Sequence, residues 1–335
     1  MTLTSHGATL VAYSAAAVVT CALTPLARRF AVRSGAIDHP DERKKHKKPI
    51  PTSGGVAIAG GLLAAAWASG ILSVTRAADE AARSLGGRST QMGTVHLAAI
   101  LVGALFMALV GFVDDRKDLP AKLKLVLQVL STAPLLIAGL TISTVSNPFH
   151  QGMIFLPPWL AAIVTVAWVV AVTNAINLID GLDGLAAGVS AISCIALAVV
   201  ALLWGQVAVA LLCAAVAGAA IGFLPWNWHP ASILMGDTGA YFLGFMIASV
   251  TLSGAFKMAA AIAIFVPILV LAVPLLDTVL SPVRRFLSGR PAFKADRDHL
   301  HHRLMALGLA ETRVVGLTYA VTAVCGAIAI WISRH

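Results

Sequence analysis

The sequence predicts an all-α protein that crosses a membrane repeatedly, in about ten transmembrane helices. Two observations predict it. Of the 335 residues, 59% are hydrophobic and only 12% are charged, with a mean hydropathy of +0.87; soluble domains carry roughly 25% charged residues. The apolar residues also fall into runs close to the ~20 residues that a bilayer core demands. One integral-membrane domain over 1–335 follows, with no repeat, low-complexity tract or separate soluble unit.

The first run, 8–27, has no cation before it and no clear cleavage site, so it reads as a retained helix rather than a removed signal. The second and third, 54–74 and 94–113, flank "TRAADEAARSLGGRSTQMG", which reads as a short polar connector. A fourth, 125–144, follows the polar "DDRKDLPAKLK". The fifth, 158–178, contains "WLAAIVTVAWVVAVT" and ends in amides and carboxylates. Runs six and seven, 186–204 and 207–224, are parted only by 205–206, and the eighth covers 239–256. The ninth, 258–281, holds Pro267 and Pro274, each of which removes a backbone donor and predicts a kink beside a lateral groove. The tenth is 314–332. Cys21, Cys194, Cys213 and Cys325 all lie within these runs without metal-ligand spacing, so they read as small apolar packing residues.

Alternating ten spans places loops near 28–53, 114–124, 179–185, 225–238 and 282–313 on one side. They hold 19 of the 24 Lys and Arg residues, which makes that side cytoplasmic and both termini extracytoplasmic. They also hold 12 of the 15 acids, which the charge rule does not require. Polar chemistry of both signs therefore gathers on one face. The net charge of +9 suits anionic lipid or an anionic substrate; nothing in the pattern points to nucleic acid.

Four polar clusters lie on that face. In "DHPDERKKHKKPIPTSGG", Arg43, Lys45, His46 and Lys48 can face phosphates while Gly54–Gly55 lets backbone approach; the same stretch also suits a positive-inside anchor. In "GFVDDRKDLPAKLKLVLQ", Asp114 and Asp115 follow directly on an apolar run. Adjacent helical residues point about 100° apart, so the two can serve different partners, and Lys122 and Lys124 follow as interfacial anchors or phosphate ligands. In "NAINLIDGLDGLAAG", Asn174, Asn177, Asp180 and Asp183 recur every third residue, with Gly181 and Gly184 loosening the backbone. Polar groups near a membrane usually mark function. The fourth cluster has two pieces: "MGDTG" sets Asp237 in a Gly-flanked turn where Thr238 could cap a helix, and "DRDHLHHRL" gathers Arg297, His299, His301, His302 and Arg303. Three close histidines invite a zinc reading, but the spacing matches no structural zinc pattern.

Dispersed carboxylates and amides suit a hard cation such as magnesium, completed by water and substrate phosphates. Cations around it would neutralise a transferring phosphoryl group. The residues by themselves thus imply a cytoplasm-facing, metal-dependent phosphotransfer enzyme. The rival is an ion-coupled transporter, which needs ionisable residues near mid-membrane; Asp277 is the one acid clearly inside a span, near its cytoplasmic end.

In this order, "DHPDERKKHKKPIPTSGG", "DDRKDL", "NAINLIDGLDGLAAG", "MGDTG" and "DRDHLHHRL" resemble the polyprenyl-phosphate N-acetylhexosamine-1-phosphate transferases, glycosyltransferase family 4, over nearly the whole chain. "HLHH" is similar to the bacterial branch that includes WecA and TagO. The resemblance implies a multi-pass protein of the bacterial inner membrane. It implies transfer of GlcNAc-1-phosphate, or another N-acetylhexosamine phosphate, from a UDP-sugar to undecaprenyl phosphate. UMP is released, and the lipid-linked sugar opens a cell-envelope polysaccharide. It further implies Mg2+, with Mn2+ as substitute, held by Asn177 and Asp237. Asp114, Asp115, Lys124 and Asp180 match catalytic positions, Asp114 as base or orienter of the lipid phosphate. Lys48, Asn174, Asp183, Arg297, His299, His301, His302 and Arg303 match substrate contacts, Asp183 toward uracil. Membrane lipid is a further partner, and a homodimer is compatible with the pattern. Two sites depart from the family pattern: Ser53 stands where Arg is common, and this sequence has Leu234 and Met235 where many members carry an aromatic residue immediately before "MGD".

Overall fold

A computed structural model describes residues 5–38, 49–84, 92–146, 153–253 and 308–334, with isolated positions between 268 and 305. Lys48, Arg297, His299, His301, His302, Arg303, Asp277 and the expected kinks at Pro267 and Pro274 lie outside the described residues. Helices follow in the order α1 (Ser5–Ser34), α2 (Gly55–Ala68), α3 (Ile71–Ser84), α4 (Thr94–Lys117), α5 (Ala121–Ser131), α6 (Ala133–Ile137), α7 (Pro158–Ile179), α8 (Leu185–Leu203), α9 (Val207–Asn227), α10 (Gly236–Leu252) and α11 (Glu311–Arg334). Two short antiparallel ribbons interrupt the helical pattern: β1 (Ile37–Asp38) with β2 (Ile50–Pro51), and β3 (Thr144–Ser146) with β4 (Met153–Phe155). The helix-only reading did not anticipate them; both lie in the polar connections.

Among the described residues, six helices are long and apolar enough to cross a bilayer: α1, α4, α7, α8, α9 and α11. The bent pair α2–α3 makes a seventh if it counts as one crossing. Three expected runs and one connector therefore differ from the sequence reading. The second ends at Ala68, because Ser69 and Gly70 break the helix and α3 turns away by 59°. The supposed polar connector after it is helical as far as Ser84. The fourth splits at Thr132, whose hydroxyl donates to the Val129 carbonyl at 2.6 Å just before Pro134. The eighth forms α10, which starts at Gly236 and ends at Leu252 rather than running to 256; its 17 residues stand at the lower end of the range for a crossing. Gly205, at φ +70, makes the tight α8–α9 connection possible.

Position in the bundle follows from how apolar each helix is on its far side. In α8 and α9, 78% and 83% of the apolar stretch is buried within the protein, against 28% in α1 and α11. The first two are central and the last two form the rim. Leu10, Val18 and Leu26 of α1, and Val321, Val324 and Ile328 of α11, accordingly turn outward, as lipid contact requires. Small residues bring the backbones together. A Cβ on Gly218 or Gly222 of α9 would overlap the Tyr13 or Ala17 carbonyl of α1, the close approach that replaces hydrophobic driving force within lipid.

This packing sends one set of helix ends to the same place. The C-terminal ends of α1, α4, α7 and α9 meet the N-terminal ends of α2, α8, α10 and α11 around a cleft. The strand after β2 is held there by backbone pairing with the α9–α10 loop. Leu234 N donates to Pro51 O at 2.9 Å and Gly54 N to Leu234 O at 3.0 Å. The first and fourth polar clusters, far apart in sequence, are thus stitched together.

Candidate active site

The cleft has a volume of about 1290 Å³ and is lined by six helices and the loops between them, with residues including Arg28, Lys117, Asn177, Asp180, Asp183 and Asp237. Pockets for drug-sized ligands are usually ~300–1,000 Å³, so this one has room for more than one anionic headgroup.

Asp114 and Asp115 end α4 and, as the 100° rule requires, face different neighbours. Asp114 is 4% exposed. Its Oδ2 lies 2.8 Å from the Lys124 ammonium and accepts from the Tyr241 hydroxyl at 3.2 Å, while Oδ1 accepts from Leu119 N at 2.9 Å. The same ammonium is 3.8 Å from Asp237 Oδ2 and 3.7 Å from Asp118 Oδ1. Lys124 sits on the first turn of α5 because Asp118, at φ +45, ends α4 and Pro120 starts the next helix. Asp115 instead accepts from Asp237 N at 2.7 Å, Thr238 N at 3.2 Å, Thr238 Oγ1 at 2.6 Å and Ser53 Oγ at 3.1 Å. Thr238 therefore gives its hydroxyl to Asp115 rather than capping its own helix. Ser53, at φ +75 and fully buried, is committed to that carboxylate.

From α7, Asn177 Nδ2 donates to Asp237 Oδ1 at 2.6 Å, so the third and fourth clusters converge. Asn174, one turn earlier, does not reach the cleft contacts. It forms a reciprocal amide pair with Gln128 of α5, Nδ2 to Oε1 at 2.7 Å and Nε2 to Oδ1 at 3.2 Å. The structure spends this predicted substrate contact on joining two helices. Asp180 lies in the turn after α7, half-buried, where burial and the carboxylates of Asp237, Asp115 and Asp183 push its carboxyl well above the ordinary range.

Asp183 occupies the other end of the cleft. Its Oδ2 accepts from Ala231 N at 3.0 Å and lies 3.0 Å from His229 Nδ1. Its own N–H donates to Glu311 Oε1 at 3.3 Å. Donor atoms of Asp183, His229 and Glu311 all lie within 4.8 Å of one another. Asn227 fixes this corner from beneath, accepting from Gly184 N at 3.0 Å and donating to Ile233 O at 3.1 Å. Sequence reasoning missed His229, Glu311, Asn227 and Tyr241. Tyr241 could have been found, since it follows Asp237 by one helical turn. The other three are single polar residues, Asn227 ending α9, Glu311 starting α11 and His229 in a connection, and carry no local signal.

The oxygen-rich set at the α4–α7–α10 junction fits a hard, weakly dehydrated cation such as magnesium. Asp237 and Asn177 would hold it; because Asn177 now presents its NH2 to Asp237, ligation through Oδ1 needs that amide turned over. Asp183, His229 and Glu311 offer a mixed carboxylate–imidazole set better suited to a transition metal.

Comparison with known proteins bears on this geometry. Residues 97–255, which carry α4 through α10, match the family described as "Glycosyl transferase family 4". The chain is 38% identical over 331 residues to a Bacillus subtilis (strain 168) protein named "Probable undecaprenyl-phosphate N-acetylglucosaminyl 1-phosphate transferase", covering 97% of this chain and 87% of that one. It is 37% identical over 328 residues to the "Decaprenyl-phosphate N-acetylglucosaminephosphotransferase" of Mycobacterium leprae (strain TN), covering 91% and 78%. Identity to the "Undecaprenyl-phosphate alpha-N-acetylglucosaminyl 1-phosphate transferase" of Yersinia pestis is 28% over 311 residues, covering 90% of this chain and 79% of that one. With apolar spanning helices, carboxylates gathered at one mouth and relatives matched along almost its full length, the chain belongs to the polyprenyl-phosphate N-acetylhexosamine-1-phosphate transferases, glycosyl transferase family 4, as a multi-pass protein of the bacterial inner membrane.

Proposed function

We propose that this protein transfers N-acetylglucosamine-1-phosphate from UDP-N-acetylglucosamine to undecaprenyl phosphate, as the first membrane step of a cell-envelope polysaccharide. The protein crosses ten times, with both termini outside and the cleft facing the cytoplasm. The observation that carries the reading is one ammonium, Lys124, set between Asp114 and Asp237 at the mouth of an apolar bundle, with Asn177 on the same carboxylate. An oxygen of the lipid phosphate attacks the β-phosphorus of the UDP-sugar. The new P–O bond forms as the bond to the α-phosphate oxygen breaks, and UMP leaves with that electron pair.

A phosphate monoester has its second pKa near 6, so the attacking oxygen is already ionised at neutral pH. Asp114 therefore has little proton to remove; buried against Lys124, it orients that ammonium toward the lipid phosphate. Magnesium, held by Asp237 and Asn177 with Mn2+ as substitute, would supply charge neutralisation to the diphosphate. Arg28 and Lys117 line the cleft and add positive charge for the headgroups. Asp183 takes the nucleoside end, and Asp180 lies between the two halves. Ion-coupled transport is not favoured, because the described carboxylates of the cleft gather at one end of the bundle rather than at mid-membrane.

Purified protein given radiolabelled UDP-N-acetylglucosamine, undecaprenyl phosphate and Mg2+ should release UMP and form lipid-linked sugar, each only when the other substrate and the metal are present. UMP release that persists without lipid would mean hydrolysis and would reject the transfer reaction.

A further inference from the structure

The two adjacent acids of α4 have different surroundings, and those of Asp115 belong to α10. Every helix starts with N–H groups that lack intrahelical acceptors. The residue before α10 is Met235, and no side chain of its own segment caps the helix. Asp115 fills that place from another helix, accepting both the Asp237 and Thr238 N–H groups. A carboxylate there also meets the positive end of the helix dipole. Thr238 Oγ1 and Ser53 Oγ add two further donors, both to Oδ2, so Asp115 meets four donors in all, one at Oδ1 and three at Oδ2.

The backbone is shaped to admit this carboxylate. Gly236 sits at φ +69, and a Cβ there would strike Thr52 Oγ1 and come within 2.7 Å of both Asp115 oxygens. One turn before Asp115, Gly111 lies so close to the Asp237 carbonyl that a Cβ would overlap it. Asp237 is therefore gripped from both sides by α4: Asp115 takes its N–H and Gly111 backs its C=O. Its side chain is left facing Asn177 and Lys124.

We infer that Asp115, although it also lines the cleft, is a positioning residue: a cap supplied by α4 to α10 that aims the Asp237 carboxylate and acts on turnover through it. The inference deepens the transferase reading and rests on it for its kinetic arm only. The kinetic arm is a double-mutant cycle. Thr238→Val removes one of Asp115's four donors, the Oγ1 hydroxyl, while keeping the backbone N–H and the cleft ligands, and should raise the Mg2+ concentration for half-maximal turnover several-fold. Asp115→Ala should raise it further and lower kcat up to about 100-fold, the scale of a misplaced catalytic group. Asp115→Asn, which keeps an acceptor for Asp237 N, should recover part of the loss. The double variant should be no worse than Asp115→Ala alone. Additive effects, or a Thr238→Val enzyme with wild-type Mg2+ dependence, would overturn the inference.

The structural arm is amide hydrogen exchange at Asp237 and Thr238 in the detergent-solubilised protein. Exchange there should quicken in Asp115→Asn and Thr238→Val, while α8 and α9 stay protected. Unchanged protection would overturn the cap whether or not the protein turns over UDP-N-acetylglucosamine. Conversely, an inactive wild type with the expected exchange pattern would reject the transfer reaction and leave the cap standing.

Discussion

At the scale of single residues, the site separates groups that the sequence makes look alike. Asp114, Asn177, Lys124 and Asp237 were legible because each stands where an apolar run stops, and a polar group there needs a reason. At Asn174 the same signal sits on an amide pair with Gln128, 46 residues away on another helix; spacing along one helix cannot reveal an amide on the next. Asp237 is the sharpest case. Its side chain caps nothing in α10, and it sits among Asp114, Asp115 and Asp180. Asp237→Ala should abolish turnover while leaving Tm equal or higher, since one of several repelling carboxylates is removed. Mg2+ should raise the Tm of the wild type by binding the folded state, and should fail to do so in Asp237→Ala. Asn177→Ala should weaken the Mg2+-dependent shift less severely, because an amide carries no net charge. An active Asp237→Ala enzyme that has lost about 1 kcal/mol of stability would be the behaviour of a helix cap instead.

At the scale of elements, helix positions were readable and helix breaks were not. Apolar runs gave α1, α4, α7, α8, α9 and α11 within a few residues at most ends, since burial and lipid both demand continuous apolar surface. The breaks at Ser69–Gly70 and Thr132 escaped, because a small residue or a threonine inside an oily run costs little hydropathy. What α2, α4 and α10 share is a seam of glycines rather than an apolar stripe. A Cβ on Gly55 would overlap the Gly239 backbone, and one on Gly111 the Asp237 carbonyl. Neither neighbour is a flexible side chain that can swing away, so the helices themselves must part. Gly111→Ala should therefore lower stability by about 1–3 kcal/mol, the usual range for overpacking. It should also reduce turnover by more than the fraction of protein unfolded, because α10 carries Asp237 away from Asn177. Gly316→Ala on the rim helix α11, where a Cβ would meet nothing within 4 Å, is the matched control. Equal losses in the two variants, by thermal melt and specific activity, would show that the seam has no special tolerance limit.

At the scale of the whole molecule, the charge of the connections foretold a single polar end, since Lys and Arg bias is a property of loops and survives any error in span edges. Convergence itself was not legible: nothing in the sequence pairs Asp183 with His229 and Glu311, 46 and 128 residues away. The chain direction through α1, α2 and α4 places the cleft at one end of the bundle and α3 at the other. If the cleft faces the cytoplasm, as the cation bias predicts, then Lys117 and Glu80, both exposed, lie on opposite sides of the membrane. In a background lacking the partly exposed Cys21 and Cys325, Lys117→Cys should react with a membrane-impermeant maleimide in inside-out vesicles and not in intact cells. Glu80→Cys should show the opposite pattern. The substrate chemistry depends on the outcome, because a nucleotide sugar made in the cytoplasm can enter only a cleft that opens there. Labelling of Lys117→Cys from outside intact cells would invert the protein and remove the donor from reach.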